Sequence, residues 1–148
     1  MTDHPDGLPG AGAGNDPATR RKIRRAVAAR NLARAANETK WNELIDHFRR
    51  QPGWRPSYRT RWVNGRVSVW DVEWCYHLPF PFVGVEWFDI GLWEEIAPTN
   101  GLEVRTTVDH TAAIADVVRR IGFEFEVRAD VLRIWGYLPK SYDDFPPA

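Results

Sequence analysis

Three carboxylates and a histidine are the side chains best suited to chemistry in this sequence, and all of them fall within residues 67–90. Asp71, Glu73 and His77 occupy alternate positions of one predicted strand, and Glu86 lies in the next one. Carboxylate oxygens together with an imidazole nitrogen are ligands for divalent cations. One hypothesis is therefore a metal site formed by Asp71, Glu73 and Glu86, with His77 as a further catalytic candidate of a metal-dependent hydrolase or nuclease.

Arginines on the preceding hairpin arm offer the same carboxylates a different partner. Arg59 and Arg61 alternate along residues 57–63, and Arg66 leads into the next strand. If these guanidinium groups lie between the carboxylates, the charges are paired and no ion is needed. We weight this interpretation above the metal site, and an enzyme is the less favoured class. The sequence carries no Gly-rich phosphate loop, Gly-x-Ser-x-Gly or His-Glu-x-x-His motif.

Composition bounds the class of protein. A length of 148 residues predicts one folded domain, and 20 basic against 20 acidic residues leave the overall charge uninformative. A single cysteine excludes an internal disulfide and fits a reducing compartment. No apolar run reaches the ~18 residues of a membrane span, and the N-terminus lacks the apolar core of a secretory signal. We therefore expect a cytoplasmic location.

The charge is unevenly distributed along the chain. Residues 1–16 are rich in Gly and Pro and predict a disordered tail. Residues 17–36 carry seven basic residues and no acid, and they predict a basic helical arm that begins at Asp16 and Pro17. Such an arm would bind polyanions weakly and without sequence selectivity. Its candidate contacts are Arg20, Arg21, Lys22, Arg24 and Arg25.

Residues 37–138 are predicted to form a single α+β domain, followed by a C-terminal tail over residues 139–148. Apolar residues at helical spacing predict helices over residues 40–50 and 109–121. Alternation and turn signals predict strands over residues 57–63, 66–77, 83–91, 123–128 and 131–137. The alternation assigns Trp70, Val72, Trp74 and Tyr76 to the core face of the 66–77 strand, and it pairs Glu126 with Arg133 across the last hairpin. The expected fold is a mostly antiparallel sheet of four to five strands with the two helices packed on one face, plus the basic N-terminal helix.

Several fragments resemble a family of uncharacterised, mostly bacterial proteins whose function is unknown. They are a Glu-Thr-Lys-Trp-Asn-Glu helix start at residue 38, Arg59-Thr60, a Trp-Asp-x-Glu-Trp strand at residues 70–74, and the strand at residues 85–90. Val72 stands where that family has Gly. The resemblance covers residues 37–137 and implies a domain boundary there, without implying an activity.

The eight tryptophans suggest a second function class. Most should lie in the core, but a surplus on loops or edges would act as anchors, since exposed Trp and Arg are favoured at interfaces. We therefore expect a small cytosolic protein-binding module, comparable by analogy to immunity proteins that neutralise toxins, with no cofactor and a protein partner whose identity the sequence leaves open. The predicted binding surface consists of Trp54, Trp62, Trp93, Arg59 and Arg61.

Overall fold

α-Helices and β-strands are interspersed along the chain. The computed structural model describes residues 7–98, 101 and 104–148. The α-helices are α1 (Pro17–Ala29), α2 (Glu38–Arg50) and α3 (Thr111–Ile121). The strands are β1 (Ala33–Arg34), β2 (Tyr58–Trp62), β3 (Val85–Gly91), β4 (Trp93–Ile96), β5 (Thr106–Asp109), β6 (Glu124–Arg128), β7 (Val131–Trp135) and β8 (Tyr137–Leu138).

A four-stranded antiparallel sheet in the order β2-β3-β7-β6 forms the centre of the fold. The predicted α+β class and its antiparallel sheet are confirmed. The hairpin of β6 and β7 turns at Ala129, whose φ of 52° is left-handed, and it pairs Glu126 with Arg133 as the alternation indicated. Two small sheets, β1 with β8 and β4 with β5, flank the large one.

The apolar core joins side chains of this sheet with side chains of α2 and α3. α2 buries Trp41, Leu44, Ile45 and Phe48, the positions that its amphipathic spacing selected. α3 ends at Gly122, whose φ of 99° suits a glycine C-cap. The buried residues of both helices join those of the sheet in one cluster. The sheet contributes Tyr58, Phe88, Ile90, Leu132 and Ile134.

The predicted strand over residues 66–77 is wrong. Two isolated bridges, Tyr58 with Asp71 and Arg61 with Val67, and hydrogen bonds of Arg66 and Ser68 connect this segment to β2, but no continuous strand forms and the segment is otherwise irregular. β3 pairs with the opposite edge of β2 instead, with Arg59 facing Asp89. Acidic side chains explain the failure of the strand, because they bind the segment's own backbone N–H groups in competition with a strand partner.

The N-terminal segment packs on the domain, which differs from the disorder predicted for residues 1–16. Ala11 is only 1% exposed, its N–H donates to Asn42 Oδ1 (2.8 Å), and its carbonyl accepts from the Phe82 N–H (2.9 Å). Small residues permit this close approach, since a Cβ at Gly12 would contact the Glu38 carboxylate. Residues 1–6 of that prediction lie outside the described residues.

The predicted basic helix over residues 17–36 is shorter in the structure. α1 begins at Pro17 after an Asp16 N-cap, as expected, and ends at Ala29. β1 then pairs with β8, and the Arg30 side chain reaches β3, so this part of the chain is joined to the domain. Among the described residues, the structure has no helix with the length and apolar character needed to cross a membrane.

Candidate functional site

Two carboxylates give the irregular 66–77 segment, here called the 66–77 loop, its shape. Glu73 Oε1 accepts hydrogen bonds from the backbone N–H groups of Cys75 (2.7 Å), Tyr76 (2.6 Å) and His77 (3.1 Å). Asp71 Oδ1 accepts from the N–H of Glu73 (3.0 Å), and Asp71 Oδ2 lies 3.0 Å from His77 Nδ1. The predicted catalytic residues of this segment therefore bind the loop itself.

The same hydrogen bonds set the acidity of both groups. Partial burial raises the pKa of Glu73, but backbone N–H donors from Tyr76, His77 and Cys75 outweigh it, so this pKa lies below the ordinary glutamate value. The pKa of Asp71 is lowered in the same way, against a desolvation that raises it, by N–H donors and by His77. Both carboxyls are therefore held in their charged form.

Apolar side chains of the 66–77 loop point to solvent, although alternation had assigned Trp70, Val72 and Tyr76 to the core. Of that predicted core face, Trp74 is buried, and its Nε1 donates to the Pro56 carbonyl (2.9 Å). The Tyr58 hydroxyl also anchors the loop by donating to the Glu73 carbonyl. The exposed large residues of the loop are Val67 (50%), Val69 (84%), Trp70 (39%), Val72 (65%) and Tyr76 (64%).

A cleft of about 320 Å³ lies between this loop and the β4–β5 hairpin. Its lining includes Trp70, Trp93, which is 48% exposed, and the C-terminal residues Pro147 and Ala148. The Arg59 guanidinium carbon lies 5.4 Å from the centre of the Trp70 ring. Cation–π contact of this kind orients the indole beside the cleft.

The face of the large sheet opposite the helices carries charged residues, and we call it the arginine face. It comprises Arg59 and Arg61 of β2, Trp87 and Asp89 of β3, and Arg133 and Trp135 of β7, which the strand register brings together. At its centre the buried Asp89 carboxylate accepts from Arg59 Nε (3.0 Å), Arg133 Nε (2.7 Å) and Arg133 Nη2 (2.9 Å). The Arg133 guanidinium carbon lies 3.5 Å from the centre of the Trp87 ring.

A second buried carboxylate, Glu86, lies beside this group. The register shifts between Arg61 and Trp62, so Glu86 has no Cα partner on β2. Its carboxylate accepts from both Nη atoms of Arg30 (2.5 and 3.0 Å), and Arg61 Nε lies 3.3 Å away. Glu86 is thus paired with arginines, the interpretation that the sequence favoured over a metal.

Residues 139–148, here called the tail segment, cover the arginine face. Asp144 pairs with Arg59 and Asp143 pairs with Arg61, each at 2.8 Å. Phe145 is buried and packs edge-on against Trp135 at 6.1 Å. The tail segment therefore supplies carboxylates and a ring to a surface whose other charged residues come from the sheet.

The structure distributes the predicted site residues over different surroundings. Asp71, Glu73 and His77 lie in the 66–77 loop, where Glu73 is occupied by backbone N–H groups, while Glu86 lies on β3 beside Arg30 and Arg61. The described part of the chain contains no group of three or more His, Cys, Asp or Glu side chains that could hold a metal ion. Of the predicted binding tryptophans, Trp93 is exposed, whereas Trp54 stacks on His110 at 4.2 Å and Trp62 is half-buried.

The structure also locates the charged residues of the predicted protein-binding surface and of the predicted polyanion-binding surface. Arg59 and Arg61 belong to the arginine face and are largely covered. The five basic residues proposed to bind polyanions all lie exposed on α1. Sequence reasoning missed the exposed Trp70 and the paired Asp143 and Asp144 of the tail segment; the adjacent acidic pair before Phe145 was the available signal for the latter.

The chain belongs to a family of unknown function, DUF6678, whose model matches residues 23–141. Membership of a family without known function is thus confirmed, and the match begins within α1 rather than at residue 37. Comparison with curated proteins found no match, and comparison with solved structures found none either.

Removing the Glu73 carboxylate should loosen the 66–77 loop without unfolding the domain. In Glu73→Ala we expect the amides of Cys75, Tyr76 and His77 to exchange with solvent at least ~10-fold faster, because hydrogen bonds to a charged acceptor contribute about 1.5–3 kcal/mol each. Hydrogen exchange measured by NMR checks this. Glu95→Ala, which removes an exposed carboxylate on β4, should leave these three amides unchanged.

The pH dependence follows from the lowered pKa of Glu73. Because the folded loop favours the ionised carboxylate, its stabilisation is present above the ordinary glutamate pKa and is lost as pH falls through the folded-state value. The three amide resonances should therefore titrate together with a midpoint below the ordinary pKa. A midpoint at or above that value, or unchanged exchange in Glu73→Ala, would contradict this account.

Proposed function

We propose that this protein is a cytoplasmic protein-binding module that recognises its partner through the 66–77 loop and the neighbouring Trp93. The observation that carries the proposal is the exposure of five large apolar side chains on one short loop. Exposed apolar surface costs about 25 cal/mol per Å² relative to burial, and contiguous patches of it mark interaction sites. An immunity-protein-like role, in which a compact domain binds and blocks another protein, fits this surface.

The fixed shape of the loop supports the same conclusion. Buried Trp74 anchors it, and the carboxylates of Asp71 and Glu73 hold its backbone. A loop that is already ordered loses little conformational freedom on binding, so more of the contact free energy becomes affinity. Trp70 and Tyr76 are residue types that dominate the energetics of protein interfaces.

The alternative function, a metal-dependent hydrolase or nuclease, has less support. The hypothesis requires Asp71, Glu73, Glu86 and His77 to converge on one ion. Glu73 instead accepts three backbone N–H groups, and Glu86 is paired with Arg30 and Arg61. Carboxylates satisfied in this way would have to lose those partners before they could bind a cation.

Photo-crosslinking from the loop would test the proposed function. We expect p-benzoylphenylalanine in place of Tyr76, expressed in the cell of origin, to form a discrete adduct with one protein. The same amino acid in place of Val127, an exposed residue on β6 at the other edge of the sheet, should not form it. The protein in the adduct would then be purified and titrated against the full chain.

Binding of that purified protein should weaken at least ~10-fold in Val69→Asp, about 1.4 kcal/mol, because the substitution places a charge on the most exposed of the loop's large apolar side chains. Val127→Asp makes the same chemical change at the far edge and should bind like the wild type. Equal adducts from positions 76 and 127, or full affinity in a folded Val69→Asp variant, would rule out the loop as the recognition surface.

Weak binding of polyanions by α1 is a second candidate function, and one observation favours it. Arg20, Arg21, Lys22, Arg24 and Arg25 are all exposed, and within the part of the chain that the structure describes none of them forms an ion pair. Basic side chains released from intramolecular pairing bind polyanions with a marked salt dependence.

Replacing these five residues by Gln should abolish retention of the full chain on heparin at low salt, since Gln keeps the helix propensity while removing the charge. Replacement of Arg119 and Arg120, two exposed basic residues of α3, by Gln is the control and should change the elution salt little. Retention that depends on α3 rather than α1 would place the site elsewhere.

A further inference from the structure

The arginine face has more positive than negative charge of its own. Counted with the adjacent Arg30 and Glu86, four arginines (Arg30, Arg59, Arg61 and Arg133) approach two carboxylates (Glu86 and Asp89), which leaves two positive charges to be balanced. Asp143 and Asp144 of the tail segment supply the two missing negative charges. An acidic stretch of chain is thus the chemical complement of this face.

The tail segment is held in part through backbone carbonyls, which any peptide carries. Arg133 Nη1 donates to the carbonyls of Ser141 (3.2 Å) and Asp143 (2.7 Å), and its Nη2 donates to that of Asp144 (3.2 Å). Trp135 Nε1 donates to the Ser141 carbonyl at 3.0 Å. The sheet acts as donor and the tail as acceptor in these contacts, as in the recognition of an extended ligand.

The side-chain contacts of the tail segment include the ion pairs of Lys140 with Glu124 and Glu126 and a hydrogen bond from the Tyr142 hydroxyl to Glu126. The acidic contacts of the tail segment are partly open to solvent. The side chains of Asp143 and Asp144 are 75% and 51% exposed, so water and salt screen their ion pairs with Arg61 and Arg59. Phe145 is the one side chain of the Asp-Asp-Phe sequence that is buried, where Arg128 and Arg133 lie over its ring.

The family match separates the face from the segment that covers it. Residues 23–141 include every arginine that balances these carboxylates, whereas Asp143, Asp144 and Phe145 lie beyond the match. The face therefore belongs to the part of the chain that the family model describes, and its acidic cover does not.

From these observations we infer that the arginine face is a binding site for an acidic segment of a partner protein, with two adjacent carboxylates followed by an aromatic residue, and that the tail segment occupies this site in cis. The inference rests on the proposed protein-binding function and adds to it a second surface with a stated ligand chemistry. In this arrangement the tail segment competes with the partner and limits its access.

Displacement of the tail segment by a peptide tests the inference on the full chain. A segment tethered by a short linker competes at an effective concentration on the order of millimolar. An acetylated peptide of residues 140–148, added to ¹⁵N-labelled protein to about 10 mM, should therefore release the tail. We expect the amide resonances of Asp143, Asp144 and Phe145 to move to random-coil positions while the resonances of β2, β3 and β7 keep their dispersion.

Matched variants sharpen the test. The full-chain variant Asp143→Asn/Asp144→Asn weakens the cis competitor, so a fluorescent form of the peptide should bind it at least tenfold more tightly than it binds the wild type. A variant with the same charge change elsewhere, Glu95→Gln/Asp116→Asn, should bind like the wild type. The peptide with both aspartates replaced by asparagine should bind both proteins more weakly, because it keeps the carbonyl acceptors but loses the ion pairs with Arg59 and Arg61.

Several outcomes would overturn the inference. They are tail resonances that stay at their docked positions in wild type at 10 mM peptide, equal binding by the peptide that lacks the two aspartates, and release of the tail only together with unfolding of the sheet. A mass that doubles with concentration, with tails exchanged between two copies, would assign the face to self-association instead.

The wild-type titration keeps the inference falsifiable even where the tail variant fails to fold. Failure of the inference can also be distinguished from failure of the proposed function. If the peptide does not displace the tail while Val69→Asp still weakens partner binding, the 66–77 loop remains the recognition surface and the arginine face is structural.

Discussion

Asp89 lies fully buried in the middle strand pair and accepts hydrogen bonds from Arg59 on one neighbouring strand and Arg133 on the other. Burial raises the pKa of Asp89, and the hydrogen bonds and charges of Arg133 and Arg59 act against this. A buried carboxylate is tolerated only when its partners satisfy it with good geometry. The three hydrogen bonds here do so, and they connect β2, β3 and β7 through side chains as well as through the backbone.

This buried charge makes the two faces of the large sheet chemically different. The arginine face must keep its arginines satisfied with acceptors, so the apolar cluster forms from side chains that point the other way, such as Phe88 and Ile134. Tail-segment carbonyls and carboxylates provide those acceptors, and Trp87 provides an electron-rich ring under Arg133. The position of residues 139–148 is thus a consequence of Asp89 and its two arginines.

The pairing of β2 with β3 also places the 66–77 loop at the edge of the sheet. β3 pairs with β2 through Arg59 and Asp89, so residues 66–77 are left with the outer edge of β2. Asp71 and Glu73 bind backbone N–H groups there, and the apolar side chains between them remain in solvent. The proposed recognition surface and the proposed acidic-segment site therefore both adjoin β2. Its Arg59 contacts the Trp70 ring of the first and Asp144 at the second.

Local patterns in the sequence predicted the elements that form between residues close together in the chain. The spacing of Trp41, Leu44 and Phe48 predicted α2, and the alternation on either side of Ala129 predicted the β6–β7 hairpin. The 66–77 segment has an equally clear alternation. The alternation gives no sign, however, that the Asp71 and Glu73 carboxylates accept backbone N–H groups in competition with a neighbouring strand.

Longer-range features had no local signal. The pairing of β2 with β3 across an irregular loop, the register shift that brings Glu86 to Arg61, and the docking of Asp143 and Asp144 all depend on contacts between distant parts of the chain. Sequence reasoning anticipated that arginines on β2 would pair with Asp71, Glu73 and Glu86. Of these carboxylates Glu86 lies beside Arg61, whereas Asp71 and Glu73 bind the backbone of their own loop.

Urea unfolding of Asp89→Asn measures the central interaction most directly. Removing one partner of a buried charge network leaves the other charges uncompensated, so we expect a loss of about 3–5 kcal/mol in the free energy of unfolding. Asp116→Asn, which breaks an exposed pair with Arg120, should cost no more than about 0.5 kcal/mol. A loss below about 1 kcal/mol in Asp89→Asn, comparable to that of an exposed pair, would contradict the central role of the buried carboxylate.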